Sequence, residues 1–361
     1  METVNDQVNN GIAQSINQPI QPAQKTKFEP DSKRINIKFI RDLETNFLLE
    51  EAPEAPALIK IMKIGGLQTF LRKGIVGQLV GAGGIGKTHF LTQLALAIAT
   101  GTKFLDEYYI NEKGYVFLGL GENSTDDIHR LLRKMSKKLF TEEQLKEAGT
   151  YLSVMSFTGQ QASFMDRNGN PSGFFEDFLA TLKTQEPTDG WALIILDPIS
   201  RFLGADAEND NAAATHFISL LERLTLELKG KPTVLFGHHM SKANLSNTNT
   251  DQTAARGSSA LTDGVRWQAN LDKVTKEDND EEYDQTKISF KVVKSNFTAI
   301  TDKHILRRDE EGCLHGQPQK QNEYQSNAKP IILINKDQPD YAATLKPRTK
   351  KSHQQGRYNG R

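Results

Sequence analysis

The chain has 361 residues and a formal net charge of zero, with 45 Lys and Arg against 45 Asp and Glu. This balance excludes global charge as an argument for nucleic-acid binding, so any such argument must be local. A single cysteine, Cys313, excludes a disulfide framework and a Cys-rich metal site, and it suits a reducing cytoplasm. No apolar stretch approaches the roughly 20 residues of a membrane span, so we expect no membrane partner.

Composition divides the chain into successive segments. Residues 1–30 are rich in Asn and Gln and poor in large apolar residues, which predicts a disordered arm. Residues 31–56 are expected to form a linker that leads into the core. Residues 57–315 have a globular texture, and residues 316–361 form a polar tail that becomes basic toward its end. Such a tail is either a solvated segment or a basic arm that contacts nucleic acid or another protein.

The globular segment alternates strand-like apolar runs with helical patterns. A run at Gly74–Val80 precedes a glycine-rich turn, and a helical pattern then extends from Lys87 to Thr100 and ends at Gly101. The alternation continues with runs at Tyr115–Leu120, Trp191–Leu196 and Thr233–Phe236, and with helical patterns at Ile128–Lys138 and Phe217–Leu228. Because apolar strands separated by helices form parallel sheets covered on both faces, this order predicts an α/β fold.

The last part of the globular segment predicts a different pairing. Val265–Leu271 and Lys287–Val293 are strand-like runs that flank an acidic insert, Lys276–Asp284. Two such runs joined by a short connection are typical of an antiparallel hairpin, which would extend the sheet. The insert carries no pattern that assigns it a role.

The glycine-rich turn matches the phosphate-binding pattern G-x-x-x-x-G-K-[ST] and lies between a strand and a helix, as that motif requires. It comprises Gly81, Ala82, Gly83, Gly84, Ile85, Gly86, Lys87 and Thr88, with His89 directly after it. Glycines allow backbone N–H groups to face phosphate oxygens, and the helix N-terminus adds a positive dipole end. Lys87 would contact the β- and γ-phosphates, and Thr88 would offer its hydroxyl to Mg²⁺. The turn therefore predicts a nucleoside triphosphate site.

Two other strand-like runs end in a carboxylate. Asp197 follows a run that is apolar throughout, a pattern typical of the Walker B aspartate that holds Mg²⁺, usually through water. Its alternative role is to cap the turn at Pro198. Glu122 ends a different run and is placed to polarise an attacking water. Alternatively, Glu122 is simply the first acid of the loop before the next helix, which Asp126 could serve equally well.

A further strand-like run ends in adjacent histidines, His238 and His239. Because successive strand residues point to opposite faces, one imidazole would face the nucleotide and the other a neighbouring element. A neutral imidazole can donate to the γ-phosphate and accept from a loop, which would make it a phosphate sensor. The alternatives are structural histidines, or a zinc site with His216, for which the spacing gives no support.

Together these features resemble the RecA-like ATPase core: a phosphate loop, a glutamate after the next strand, a Walker B aspartate and a polar sensor. Val234–Lys242 (VLFGHHMSK) and Ala255–Trp267 (ARGSSALTDGVRW) also resemble the RepA family of plasmid-encoded hexameric replicative helicases. Val293–Phe297 (VKSNF) is similar to that family's Lys-x-Asn-aromatic segment. The resemblance covers about residues 57–314, and the N-terminal arm and the tail lie outside it.

The resemblance implies ATP and Mg²⁺ as cofactors and assigns roles to the residues. Lys87 and Thr88 match the phosphate and Mg²⁺ residues, Glu122 the catalytic glutamate and Asp197 the Walker B residue. His239 matches the sensor position, with His238 beside it. Arg266 matches an arginine finger that reaches a neighbouring subunit's nucleotide, and Lys294 a second contact in trans. The alternative for Arg266 is a salt bridge with the acidic insert.

The polar loop between Met240 and Ser259 follows the histidines and has no aromatic residue. In RecA-like rings the corresponding loop faces the central pore and holds single-stranded DNA. The hydroxyls and amides of this loop, with Lys242 and Arg256, suit sequence-tolerant backbone contacts. The absence of an aromatic residue argues against base stacking, and the alternative is an ordinary surface loop.

The resemblance therefore implies an ATP-driven DNA helicase that assembles as a homo-hexamer on single-stranded DNA in the cytoplasm. It also implies a plasmid replication initiator or a primase as a partner. Two alternatives remain open at this point. One is a RecA-like ATPase that serves recombination or remodels protein partners without unwinding. The other is a monomeric small-molecule kinase, which an arginine finger in trans disfavours.

Overall fold

The computed structural model describes residues 51, 55–204, 209–244, 250–274, 284, 286–297 and 303–316. The predicted N-terminal arm, nearly all of the predicted linker, most of the acidic insert and all but the first residue of the tail lie outside the described residues. The chain divides into two compact units, Met1–Pro56 and Ala57–Arg361, and all elements named below belong to the second.

A nine-stranded mixed sheet is the framework of this unit, in the order β12-β11-β10-β9-β3-β8-β7-β5-β6. Its strands are β3 (Val76–Gly81), β5 (Tyr115–Leu120), β6 (Leu152–Ser156), β7 (Trp191–Asp197), β8 (Thr233–His239), β9 (Trp267–Lys273), β10 (Lys287–Ser295), β11 (His304–Arg308) and β12 (Leu314–Gly316). The strands from β9 to β6 in this order are parallel, and β10 to β12 add an antiparallel extension. The predicted α/β architecture of a mostly parallel sheet with an antiparallel extension is confirmed.

The helices of the second unit lie on both faces of this sheet. They are α1 (Lys87–Thr100), α2 (Thr125–Leu139), α3 (Glu142–Tyr151), α4 (Gly173–Thr184), α5 (Asn211–Glu227) and α6 (Ser259–Gly264). Helices α1, α2 and α3 share one apolar core with alternate residues of the central strands. Helices α4, α5 and α6 share a second core with the other set of alternate residues. Since both faces are covered, the central strands are apolar throughout, as in β7, which is buried along its whole length.

Several elements were not predicted from the sequence. A separate three-stranded sheet, ordered β2-β1-β4, consists of β1 (Ala57–Lys63), β2 (Gly66–Arg72) and β4 (Tyr108–Ile110). The predicted hairpin of β9 and β10 is present, but β11 and β12 continue it. Among the described residues, no helix is both long and apolar enough to cross a bilayer.

One glycine of the sheet leaves room for the side chain of Asp197. Strand β8 lies between β3 and β7, and Gly237 of β8 faces the side chain of Asp197 at the end of β7. A Cβ atom at Gly237 would overlap Asp197 Oδ1 and would lie 2.8 Å from its Cγ. Both atoms are too close for van der Waals contact, so any side chain at Gly237 would displace the carboxylate.

We expect Gly237→Ala to lower the free energy of unfolding by roughly 1–3 kcal/mol, the usual cost of overpacking. Gly149→Ala is the matched control, because Gly149 lies exposed in α3 and a Cβ atom there would have no heavy atom within 4 Å. That change should raise the free energy of unfolding by about 0.5–1 kcal/mol, the helix preference for Ala over Gly. Urea denaturation of both variants measures the difference. Equal effects of the two substitutions would contradict the proposed steric role of Gly237.

Candidate nucleotide site

A cavity of about 440 Å³ opens at the carboxyl ends of β3, β5, β7 and β8. This is the edge of an open α/β sheet where ligands bind. Eight of the residues that were predicted from separate parts of the sequence meet at this cavity. The predicted residues that line it are Gly84, Gly86, Lys87, Thr88, His89, Glu122, Asp197 and His239.

The phosphate-loop turn presents a backbone suited to an anion. Gly84 and Gly86 adopt positive φ angles of 72° and 111°, a region that glycine enters without steric cost. The helix α1 begins directly after Gly86, and no side chain caps its first turn. Its first N–H groups and its positive dipole end therefore lie where the sequence motif expects phosphate oxygens.

Lys87 lies folded over the same turn. Its Nζ donates hydrogen bonds to the carbonyl oxygens of Gly81 at 2.8 Å and Ala82 at 3.0 Å. An ammonium group has three donors, so a third remains for a phosphate oxygen. Burial lowers the pKa of the Lys87 ammonium, and the negative charges of Asp197 and Glu122 oppose that shift. The group therefore lies in a low-dielectric site beside two carboxylates, where an ammonium is a strong contact for polyphosphate.

Thr88 and Asp197 bring two side-chain oxygens together across the sheet. Thr88 Oγ1 donates a hydrogen bond of 2.5 Å to Asp197 Oδ2. Asp197 is buried, and this burial raises the pKa of its carboxyl, against the opposing effects of Thr88 and the charge of Lys87. A hydroxyl and a carboxylate at this spacing are the hard oxygen ligands that Mg²⁺ prefers. A divalent cation here would also offset the desolvation of the carboxylate, so the residues fit the metal that the motif implies.

Glu122 lines the cavity, whereas its proposed alternative role at the next helix is filled by other residues. Ser124 caps α2, because its Oγ accepts a hydrogen bond from the N–H of Asp127 at 3.2 Å. The Asp127 carboxylate in turn accepts a hydrogen bond from Ser124 Oγ at 2.6 Å. Asp126 does not line the cavity. Glu122 is therefore the carboxylate at the end of β5 that a bound nucleotide and its attacking water could meet.

The two histidines point to opposite faces of the sheet, as strand alternation predicts. His239 lines the cavity, and His238 is buried on the other face. Burial lowers the pKa of His238 to about 3, and the positive charges of His239, Lys87 and Arg256 add to that effect. His238 is therefore neutral at physiological pH. Among the described residues, no group of three or more His, Cys, Asp or Glu is arranged to hold a metal, so the zinc alternative gains no support.

A buried network of amides lies on the same face as His238. Gln78 of β3 accepts from His238 Nδ1 at 3.3 Å and donates to Gln268 Oε1 at 2.8 Å. Gln268 Nε2 then donates to Asn270 Oδ1 at 3.0 Å along β9. The sequence carried a signal for this network, since polar residues alternate with apolar ones in β9 and Gln78 interrupts the apolar run of β3.

The network ends in the polar loop after β8. Asn270 Nδ2 donates to Thr250 Oγ1 and to the backbone carbonyl of Asp251, both at 2.7 Å. Thr250 Oγ1 donates to the buried carboxylate of Asp272 at 2.8 Å. The returning arm of the loop is therefore fastened to the sheet by hydrogen bonds inside the protein, where they are stronger than in water.

The two arms of the loop pair with each other at the end of β8. Met240 bridges Ala255, and the Arg256 N–H donates to the carbonyl oxygen of His239 at 2.9 Å. Lys242 and Arg256 are both exposed. The described arms of the loop thus begin at the cavity, although residues 245–249 lie outside the described part of the chain.

Arg266 and Lys294 lie at the opposite end of the sheet from the cavity. The Arg266 N–H donates to the carbonyl oxygen of Val76 at 2.8 Å, and Val76 is the first residue of β3. The phosphate loop begins at the other end of β3, at its last residue, Gly81. Five strand steps separate these ends by roughly 16 Å. Lys294 Nζ donates to the carbonyl oxygens of Thr262 at 2.7 Å and Asp263 at 2.9 Å. Neither side chain serves the cavity of its own chain.

The alternative salt bridge between Arg266 and the acidic insert is absent from the described residues. Asp284, which is the described residue of that insert, accepts a hydrogen bond from Arg307 Nη2 at 3.2 Å. The side chain of Arg266 is exposed and makes no ion pair with the described residues. Arg308 also lines the cavity, and it was not predicted from the sequence because the strand that carries it was missed.

Comparisons with known proteins give a family match and several similar folds. A family model described as an AAA domain matches residues 40–244. A solved ATPase domain is 14% identical, with 69% of this chain and 87% of that chain covered and a TM-score of 0.48. A DnaB-like replicative helicase, described with its interactions with primase, is 12% identical. The match covers 67% of this chain and 57% of that chain, with a TM-score of 0.46. The RadB recombinase is 15% identical, and the match covers 68% of this chain and 92% of that chain, with a TM-score of 0.44.

We expect Glu122→Gln to bind Mg-ATP as the wild type does but to hydrolyse it about 100-fold more slowly, the order of magnitude of lost general-base chemistry. The amide keeps the shape of the side chain and loses its ability to accept a proton. Steady-state ATPase assays beside a nucleotide titration separate hydrolysis from binding. Asp126→Asn is the matched control outside the cavity, and a larger defect in that variant would assign the catalytic carboxylate to Asp126.

Proposed function

The chain belongs to the AAA domain family as an ATPase of the RecA-like class, and we propose that it is an ATP-driven DNA helicase. In this proposal it forms a homo-hexameric ring that moves on single-stranded DNA, as the resemblance to the RepA-type plasmid helicases implies. The observation that carries the proposal is the position of Arg266, exposed at the end of the sheet opposite its own nucleotide cavity.

An arginine finger at that position can serve only a neighbouring subunit. Because the cavity and Arg266 occupy opposite ends of the same strands, the interface they imply is head-to-tail. Head-to-tail contacts that close produce rings, so a closed oligomer is the assembly this arrangement favours. The planar guanidinium of Arg266 would meet the γ-phosphate as negative charge rearranges during hydrolysis.

Within one cavity, each residue has a role that its position supports. Bound Mg-ATP supplies the phosphoanhydride bond whose hydrolysis would drive movement. Lys87 and the first amides of α1 would hold the phosphates, and Thr88 with Asp197 would hold Mg²⁺. Glu122 would accept a proton from the attacking water. His239 reaches the same cavity from the end of β8 and is suited to detect the γ-phosphate.

The polar loop connects this cavity to the proposed DNA site. Arg256 hydrogen-bonds through its backbone to His239, so a displacement of the strand end would be transmitted to both arms of the loop. The exposed cations Lys242 and Arg256 would contact phosphates of the single strand. The amide network below the loop fixes Thr250 and Asp251 of its returning arm to β9, so these two residues would stay with the sheet.

Arg266→Ala is expected to retain Mg-ATP binding and to lose most hydrolysis, because the arginine acts on the next subunit. Mixing Arg266→Ala with Glu122→Gln subunits should restore part of the activity, since some interfaces then pair an intact glutamate with an intact arginine. ATPase assays across mixing ratios measure this. Arg167→Ala, which removes an exposed arginine from a turn, is the control. Full turnover by a strictly monomeric wild type would rule out the role in trans and favour the kinase alternative.

The double variant Lys242→Ala, Arg256→Ala tests the DNA site. The ratio of ATPase rates with and without single-stranded DNA is expected to fall toward one, and displacement of a strand from a fork should be lost. Arg133→Ala with Lys137→Ala removes two exposed cations from α2 and is the matched control. Wild-type DNA binding should weaken with salt by a log–log slope of about 0.7 per phosphate neutralised.

Other outcomes of the same assays favour other functions. If the double variant responds to DNA as the wild type does, the loop is not the DNA-binding element. If the wild-type protein shows neither stimulation by DNA nor unwinding, an ATPase that remodels protein partners or serves recombination replaces the helicase.

A further inference from the structure

Arg308, the last residue of β11, reaches from the antiparallel extension to the phosphate-loop turn. Its Nη2 donates a hydrogen bond to the carbonyl oxygen of Ile85. A Cβ atom at Gly86 would lie 2.7 Å from Arg308 Nη2 and 3.5 Å from its Cζ. The guanidinium therefore packs directly on the backbone of the turn where α1 begins, and a side chain at Gly86 would displace it.

The charge of Arg308 has no carboxylate partner among the described residues. The nearby acids are engaged elsewhere: Asp309 accepts hydrogen bonds from His315 Nε2 and the Cys313 N–H, and Glu311 lies 3.7 Å from Lys134. The Nε of Arg308 is buried and has no hydrogen-bond partner. Burial lowers the pKa of the Arg308 guanidinium, and no neighbouring carboxylate opposes that shift.

The uncompensated charge of Arg308 lies at the N-terminus of α1. A cation at a helix N-terminus faces the positive end of the helix dipole, which is the unfavourable orientation. Lys87 adds a second positive charge at the same helix start. Asp197 and Glu122 offset the charge of Lys87 but not that of Arg308, so an anion among the two cations and the bare helix N-terminus would stabilise this arrangement.

Arg308 lies at the wall of two cavities. It lines the main cavity and also a second one of about 320 Å³ on the other side of the turn. The turn that follows Arg308 also contacts His89, since a Cβ at Gly312 would lie 2.5 Å from the His89 ring. Arg308 and His89 therefore share one side of the helix start.

We propose that Arg308 binds the polyphosphate of the nucleotide held by its own subunit, as a second cation beside Lys87 supplied by the antiparallel extension. The proposal rests on the nucleotide site of the proposed function. A guanidinium offers five donors in a planar fork, of which one reaches Ile85, so others are available for phosphate oxygens. The contact joins the outer strands of the sheet to the nucleotide, independently of the base.

The test is a titration of the whole chain with Mg-ADP and Mg-GDP, combined with thermal unfolding without nucleotide. For Arg308→Gln we expect the Kd of both nucleotides to rise about 10-fold or more, as for the loss of a charge-assisted hydrogen bond. Its Tm without nucleotide should be equal to or above that of the wild type, because an uncompensated charge is removed. Arg308→Lys should show a Kd between those of the wild type and Arg308→Gln. If Arg308→Gln fails to fold, the titration of Arg308→Lys tests the proposal in its place.

Arg307→Ala and Lys87→Ala are the controls. Arg307 is the exposed neighbour that pairs with Asp284, and its removal should leave the Kd unchanged. A change of less than threefold for Arg308→Gln overturns the proposal, and so does a loss confined to one base, which would indicate stacking on that base. If Lys87→Ala also binds Mg-ADP normally, the nucleotide site itself is misassigned. If Lys87→Ala abolishes binding while Arg308→Gln leaves it intact, only the role of Arg308 is wrong.

Discussion

The buried carboxylate of Asp197 is the constraint on which the nucleotide site depends. A desolvated carboxylate needs a partner, and Thr88 provides one through a hydrogen bond of 2.5 Å. Thr88 follows β3 and Asp197 ends β7, and these strands are not neighbours, because β8 lies between them. The two residues can meet only above a residue with no side chain, and Gly237 of β8 is that residue. A glycine with no proposed ligand contact of its own therefore sets the geometry of the proposed metal site.

Strand β8 serves both faces of the sheet at the same point. His239 turns toward the cavity, while His238 turns toward the amide network that holds the returning arm of the polar loop. The strand period of two makes this division unavoidable for adjacent residues. The proposed phosphate detection and the proposed DNA loop are consequently connected through one strand end, over a few hydrogen bonds, without any helix having to move.

The cationic side chains of the proposed site lie at two opposite ends of the sheet. Lys87 and Arg308 reach the phosphate-loop turn from two different parts of the chain, the start of α1 and the end of β11. Arg266 lies roughly 16 Å away along β3, too far for any single side chain to bridge. The unit therefore offers a charged nucleotide cavity at one end and an exposed arginine at the other. This polarity is what a head-to-tail assembly requires.

The sequence alone determined the phosphate-loop turn, the parallel core and the carboxylates at strand ends, because these depend on local spacing and on period. Glu122, Asp197 and the histidines could be placed at one sheet edge since parallel strands end together. The tertiary structure alone decided which histidine faces the cavity, and it alone revealed Arg308. That arginine contacts the turn at Ile85 across 223 positions of the chain, and no local pattern encodes such a contact. Gly237 is the same case: its role comes from the strand order, which the linear spacing does not specify.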